Sequence, residues 1–148
     1  MSTGHHDIVH GTFPDAQAAI RRRLDEIWTT CAKRDFERLE SFHLYGPKFT
    51  EFKDGKPRGD AHTCAAGERA FFQMIEAPAV DMKDLAIQVF GDCAIATFNG
   101  HFSGKINGHP VARDQQSTMV FVNAGGEWKI VHEHFSLLGE PPPHAHAR

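Results

Sequence analysis

STMVFVNAGGEWKIVHEHFS, residues 117–136, consists of two alternating runs joined by Ala124-Gly125-Gly126. Alternation on both sides of the glycines marks strands, and the glycines supply the left-handed backbone that a tight hairpin needs. Two registers are open. A three-residue loop pairs Asn123 with Glu127, Met119 with Val131, Ser117 with Glu133 and Gln115 with Phe135. One face then carries Gln115, Ser117, Met119, Phe121, Val131, Glu133 and Phe135, and the other Gln116, Thr118, Val120, Val122, Trp128, Ile130, His132 and His134. A two-residue loop shifts the pairing by one and mixes these sets. Gly125 and Gly126 favour the three-residue form. Both faces are largely apolar, so one is expected to line the core and the other a partner subunit.

Upstream of this hairpin the period of two continues. Residues 80–90, 92–106, 109–123 and 126–138 read as four long strands, punctuated by Gly91-Asp92, Asn107-Gly108 and Ala124-Gly125-Gly126. The N-terminal half has a different period. Pro14 and Asp15 open a helix over 14–33, whose Ala16, Ile20, Leu24, Ile27, Trp28 and Cys31 recur every three or four residues. Asp35 caps a short second helix with Phe36, Leu39 and Phe42 or His43 on one stripe. A strand over 48–53 runs into Asp54-Gly55. A third helix begins at Asp60 or Thr63, presents Cys64, Phe71, Phe72 and Ile75, and is closed by Pro78. Helices followed by an antiparallel meander predict an α+β fold in which three helices pack on a sheet curled into an open cone. A pocket remains where the cone is wider than its helical filling. Residues 14–138 are the expected domain, 1–13 a flexible arm and 139–148 a Pro/His-rich flexible tail.

Composition removes several function classes. The 148 residues are 41% apolar and 24% charged with a net charge of −3, which suits one globular domain and leaves no basic surplus for nucleic acid or an anionic membrane. No apolar run is long enough to span a bilayer and no secretory signal opens the chain, so a cytoplasmic protein is expected. Cys31, Cys64 and Cys93 form no CxxC pair. With no phosphate loop and no nucleophile elbow, neither cofactor nor metal is expected. His132 and His134 point the same way on a strand, but two ligands are too few for a metal site, and they are read as an interface or alternative site.

The element order, the Lys33-Arg34-Asp35 junction, the Asp54-Gly55 turn and the Gly-x-Trp turn leading into His132-x-His134-x-Ser136 resemble the nuclear transport factor 2-like superfamily, which has a cystatin-like fold. The final hairpin is similar to its SnoaL-like branch, which includes the association domain of calcium/calmodulin-dependent kinase. The resemblance covers residues 14–138 and implies the cone fold and a pocket; members isomerise, dehydrate, cyclise, hydrolyse or only assemble. Ketosteroid isomerases are more distant. Their tyrosine, base and protonated acid fall near Ile27, Glu51 or Phe52, and Thr118, so their chemistry does not carry over. The kinase domain implies a pocket lined by the Met119 and Phe135 face with Thr97, Asn99 and His101 from the preceding strand. It has arginines at the positions of Asn99, Met119 and Phe135, where this chain has none.

Glu133 is the first candidate for chemistry, because a carboxyl group in an apolar pocket resists ionisation and suits proton transfer. His101 is its expected partner. Trp28, Tyr45, Asn99, Gln115, Ser117, Met119 and Phe135 are the expected ligand-binding residues. These residues suggest a homodimer that binds a small apolar or weakly polar organic molecule. Whether it is an enzyme stays open: it is either a cofactor-independent isomerase, dehydratase or cyclase using acid/base chemistry, or a non-catalytic ligand-sensing or oligomerisation module.

Overall fold

A computed structural model describes residues 8–139. Residues 1–7 of the expected arm and 140–148 of the expected tail lie outside the described residues. Helix α1, Pro14–Lys33, has Pro14 in its first turn and ends where Arg34 adopts a left-handed conformation and donates its N–H to Cys31 O. Its buried stripe is Ile20, Leu24, Ile27, Thr30 and Cys31. Helix α2, Phe36–Ser41, is capped by Asp35, which accepts from Arg38 N at 3.2 Å. Helix α3, Ala61–Met74, is capped by Asp60, which accepts from Thr63 N at 2.8 Å. No helix among the described residues is long and apolar enough to cross a membrane.

The strands are β1 Thr50–Lys53, β2 Glu76–Phe90, β3 Cys93–Ile106, β4 His109–Ala124 and β5 Glu127–Leu137. Their order is β1-β5-β4-β3-β2, a meander with β1 added parallel to β5 at one edge. The sheet is therefore mixed, and the parallel strand pairs Glu51 with Glu133. Bulges curl it. One lies between Glu76 and Ala79, a second between Lys83 and Ala86, and a third between Val120 and Phe121 opposite β5. The first corrects the expectation that Pro78 closes the third helix. The helix stops at Met74, and Pro78 sits in the β2 bulge, where its missing N–H removes no ladder bond.

The β4–β5 hairpin also differs from the expected register. Ala124 pairs with Glu127 across a two-residue Gly125-Gly126 turn, and Phe121 pairs with Ile130. Val131 is then skipped, so Val120 pairs with His132 and Met119 with Glu133. The bulge reverses the parity of β5 midway. Trp128 and Ile130 point into the core with Phe121, while beyond the bulge Glu133 and Phe135 share the inner face with Met119 and Ser117. Trp128 and Ile130 therefore leave the expected outer patch, which keeps Val120 and Val122. Two glycines with positive φ satisfy a two-residue turn, and nothing local in the sequence reveals the extra residue at 131.

The core lies between α1 and the concave sheet face. Even-numbered residues of β3, Ala94, Ala96, Phe98 and Phe102, face inward against Ile20, Leu24, Met119 and Phe121. Each fully buried Leu, Ile or Phe contributes roughly 1.5–3 kcal/mol relative to exposure. Helix α3 contributes Cys64, Glu68, Phe71 and Phe72 to the lining of a cavity on this face.

Candidate active site

The short α2–β1 segment is pinned to β5 at the bulge. Leu44 donates its N–H to Ile130 O and Ile130 donates to Phe42 O, at 2.8 and 2.9 Å. This places His43 over the inner face one step before β5 turns Glu133 inward. His43 Nδ1 donates to Leu39 O at 3.1 Å, which aims Nε2 at Glu133 Oε1, 2.9 Å away. Both side chains are almost wholly buried, at 1% and 3% exposure. Glu68, from α3, brings Oε2 to 3.7 Å from the same ring nitrogen, and its Oε1 is buried without a hydrogen-bond partner among the described residues. Cys64, one turn earlier on α3, donates Sγ–H to Glu51 Oε2 at 3.2 Å and lies 3.9 Å from Glu133 Oε2. Tyr45 stacks on His43 with ring centroids 4.7 Å apart, and its hydroxyl donates to Cys64 Sγ at 3.8 Å.

The electrostatics follow from burying these groups together. Burial works against a charge on His43, but the negative charge of Glu133, the hydrogen bond to it and the field of Glu68 prevail and raise the ring to about 9. At neutral pH it is an imidazolium. Glu68 is pushed up by burial, opposed by the His43 charge and reinforced by Glu133 and Glu51, to about 8. Burial thus favours its protonated form. Burial also pushes the Cys64 thiol and Tyr45 hydroxyl upward, so neither supplies an anionic nucleophile.

Of these groups, His43, Glu51, Cys64, Glu68 and Glu133 form the floor of a cavity of about 450 Å³. Trp28, Phe71, Phe72, Phe102, Met119 and Phe135 wall it, and Lys53, Lys56 and Arg113 line it as well. The volume is in the range of small-molecule sites. The floor also has the donor set of a cation site: one ligand atom from each of His43, Glu68 and Glu133, or of Glu51, Cys64 and Glu133, lies within 4.8 Å of the others.

Of the residues singled out from sequence, Glu133, Trp28, Gln115, Met119 and Phe135 line this cavity. Ser117 is buried on the same sheet face and is the acceptor for Gln115 Nε2 at 3.4 Å. Tyr45 stands behind His43. His101 and Asn99 do not join them. They are odd-numbered residues of β3 and project from the opposite face, where His101 Nδ1 meets Asp114 Oδ1 at 2.7 Å. Thr97 shares that side. His101 is therefore corrected as the partner of Glu133, and His43 occupies the place expected for it. His132 and His134 also lie away from the cavity, with Thr50 Oγ1 2.8 Å from His132 Nδ1 and Phe52 against both rings.

His43, Glu51, Cys64 and Glu68 were missed as a group because the sequence separates them from Glu133 by 65 or more residues. One signal was available. Cys64, Glu68, Phe71 and Phe72 follow i, i+4, i+7, i+8 spacing, which places the carboxyl group of Glu68 on the apolar stripe of α3.

The fold has known counterparts. A protein of the NTF2-like family from Streptomyces avermitilis, proposed to be a dehydratase, aligns with a TM-score of 0.77 at 19% identity, covering 86% of this chain and 99% of the other. A protein from Novosphingobium aromaticivorans, proposed to be a scytalone dehydratase, aligns with a TM-score of 0.74 at 9% identity, over 84% and 85% of the two chains. The CaMKII hub homology domain of Chlamydamonas reinhardtii aligns with a TM-score of 0.65 at 25% identity, over 84% and 99%. No curated protein sequence matches the chain. Residues 20–140 match the model of the SnoaL-like domain, and the chain belongs to that family.

Proposed function

We propose that this protein is a cofactor-independent acid/base catalyst acting on a small organic molecule with an acidic C–H beside a carbonyl group, as an isomerase or dehydratase. The observation that carries the reading is the buried 2.9 Å contact between His43 and Glu133 on the cavity floor, with Glu68, whose protonated form burial favours, 3.7 Å from the same ring nitrogen. Glu133 takes the carbon-bound proton, and the adjacent imidazolium stabilises the charges through the transfer. Glu68 donates its proton to the substrate oxygen. In an isomerisation that oxygen is the developing enolate, and the product forms when Glu133 returns its proton to a different carbon while Glu68 takes back the enol proton. In a dehydration it is the departing hydroxyl, which leaves as water as the C=C bond forms. The apolar walls exclude solvent from both transfers. The dehydratase assignments proposed for two structures of the same fold agree with this chemistry.

The test is solvent exchange. Aryl ketones and β-hydroxyketones are incubated in D2O with the protein, and loss of the α-proton resonance is followed by NMR with and without EDTA. The expected result is exchange that His43→Asn and Glu133→Gln each reduce at least 100-fold and EDTA leaves unchanged. Exchange no faster than in the two variants overturns the proton-transfer reading. A second reading, assembly through the outer sheet face, is supported by Phe52, 38% exposed there against His132 and His134, with Val120 and Val122 nearby. A homodimer on this face predicts that Phe52→Glu shifts the mass in light scattering from dimer to monomer.

A further inference from the structure

The charges lining the cavity are segregated. Glu51, Glu68 and Glu133 lie at the floor with His43, whereas Lys53, Lys56 and Arg113 lie at the other end. The turn after β1 builds that end. Asp54 and Gly55 both have positive φ, at 51° and 73°, and Lys56 donates its N–H to Lys53 O at 3.0 Å, a tight reversal that keeps the two lysines adjacent. Lys53 Nζ stands 5.8 Å from the centroid of Phe71, over the aromatic wall. Neither lysine forms a salt bridge among the described residues, although the Lys53 charge acts on Asp54 from a distance. Arg113 reaches the same place from β4. Its Nη2 donates to Asp54 Oδ1 at 2.6 Å and its Nε to Gln115 Oε1 at 2.7 Å. Asp54 Oδ1 is also occupied by Leu137 N at 3.0 Å, so this carboxylate is held within the fold. The Lys53–Lys56–Arg113 end therefore carries more positive charge than Asp54 neutralises.

Resting on the reading of this cavity as a small-molecule site, we propose that its ligand is an organic carboxylate with an apolar body. The carboxylate sits at the Lys53, Lys56 and Arg113 end, and the body runs between Phe71, Phe102 and Phe135 to the floor. The opposite orientation would set a negative charge against Glu51 and Glu133, so the charge distribution fixes the direction of entry. The strands set the length. Lys53 pairs with Phe135 and Glu51 with Glu133, two residues apart along both strands, which separates the two ends by about 7 Å of backbone. That distance fits one aromatic ring or a short alkyl chain between carboxylate and reacting carbon.

The probe pair is 3-phenylpropanoate and its primary amide, which share shape and differ in charge. Calorimetric titration at low salt is expected to give about tenfold tighter binding of the carboxylate, with the advantage shrinking as salt is added. The exposed Lys53→Gln/Lys56→Gln double variant, which keeps Arg113, is expected to cut that advantage at least threefold and leave amide binding and melting temperature unchanged. Equal affinity of wild type for the two probes, or an advantage undiminished in the double variant, overturns the carboxylate proposal and leaves the pocket reading standing. Failure of both probes to bind overturns the pocket reading and the proposal with it.

Discussion

Replacing Glu133 by Gln tests the electrostatics of the floor at one atom. In the wild-type protein His43 Nε2–H donates to Glu133 Oε1, and the ring holds its proton to about 9. A glutamine reverses the contact. Nδ1–H stays on Leu39 O, while the amide of the new side chain donates to a neutral Nε2. The ring is 1% exposed, so burial then opposes its charge with only Glu68 and the Leu39 carbonyl still favouring it, and its titration is expected well below 9. The sign of the linkage is set by a pKa raised on folding. The stabilisation is complete below 6.5 and is lost as pH rises through about 9. A rise from 6.5 to about 9 corresponds to about 3 kcal/mol at most. The unfolding free energies of wild type and Glu133→Gln are therefore expected to converge by up to that amount between pH 6.5 and 9.5. Denaturant melts at several pH values measure the convergence, and a proton–carbon NMR titration of the His43 Cε1–H group measures the ring directly. A His43 ring that still titrates near 9 in the variant would refute the assignment of Glu133 as its main counter-ion.

Two predictions concern the scaffold. A Cβ at Gly104 would lie 2.6 Å from Ile75 Cδ1, with Ile75 wholly buried, so Gly104→Ala is expected to destabilise the fold by about 1–3 kcal/mol in urea titration; a neutral change would show that this contact yields freely. The parity reversal in β5 makes Trp128, 7% exposed, a core residue and leaves His134 at the surface. Trp128→Ala is expected to cost about 3–5 kcal/mol and His134→Ala less than about 0.5, and the reverse ranking would restore the uninterrupted register.

The architecture was legible because its signals are local. A 3.6-residue stripe from Ala16 to Cys31, caps at Asp35 and Asp60, and two-residue periodicity from Val80 onward are each fixed by neighbours in sequence. The sequence by itself also indicated that Glu133 belongs among apolar residues. The rest depended on contacts between distant segments. A single skipped residue, Val131, decides that Trp128, Ile130 and Glu133 share one face, and no local pattern distinguishes that bulge from regular alternation. The partner of Glu133 was equally hidden. His101 and His43 are both histidines amid apolar residues, but β3 turns its odd positions outward, and backbone bonds at Ile130 bring His43 to the bulge. Periodicity tells which residues are buried, whereas only the packing of α2, α3 and β5 decides which buried charges meet. The energies involved depend on distances of a few ångströms that sequence spacing does not contain.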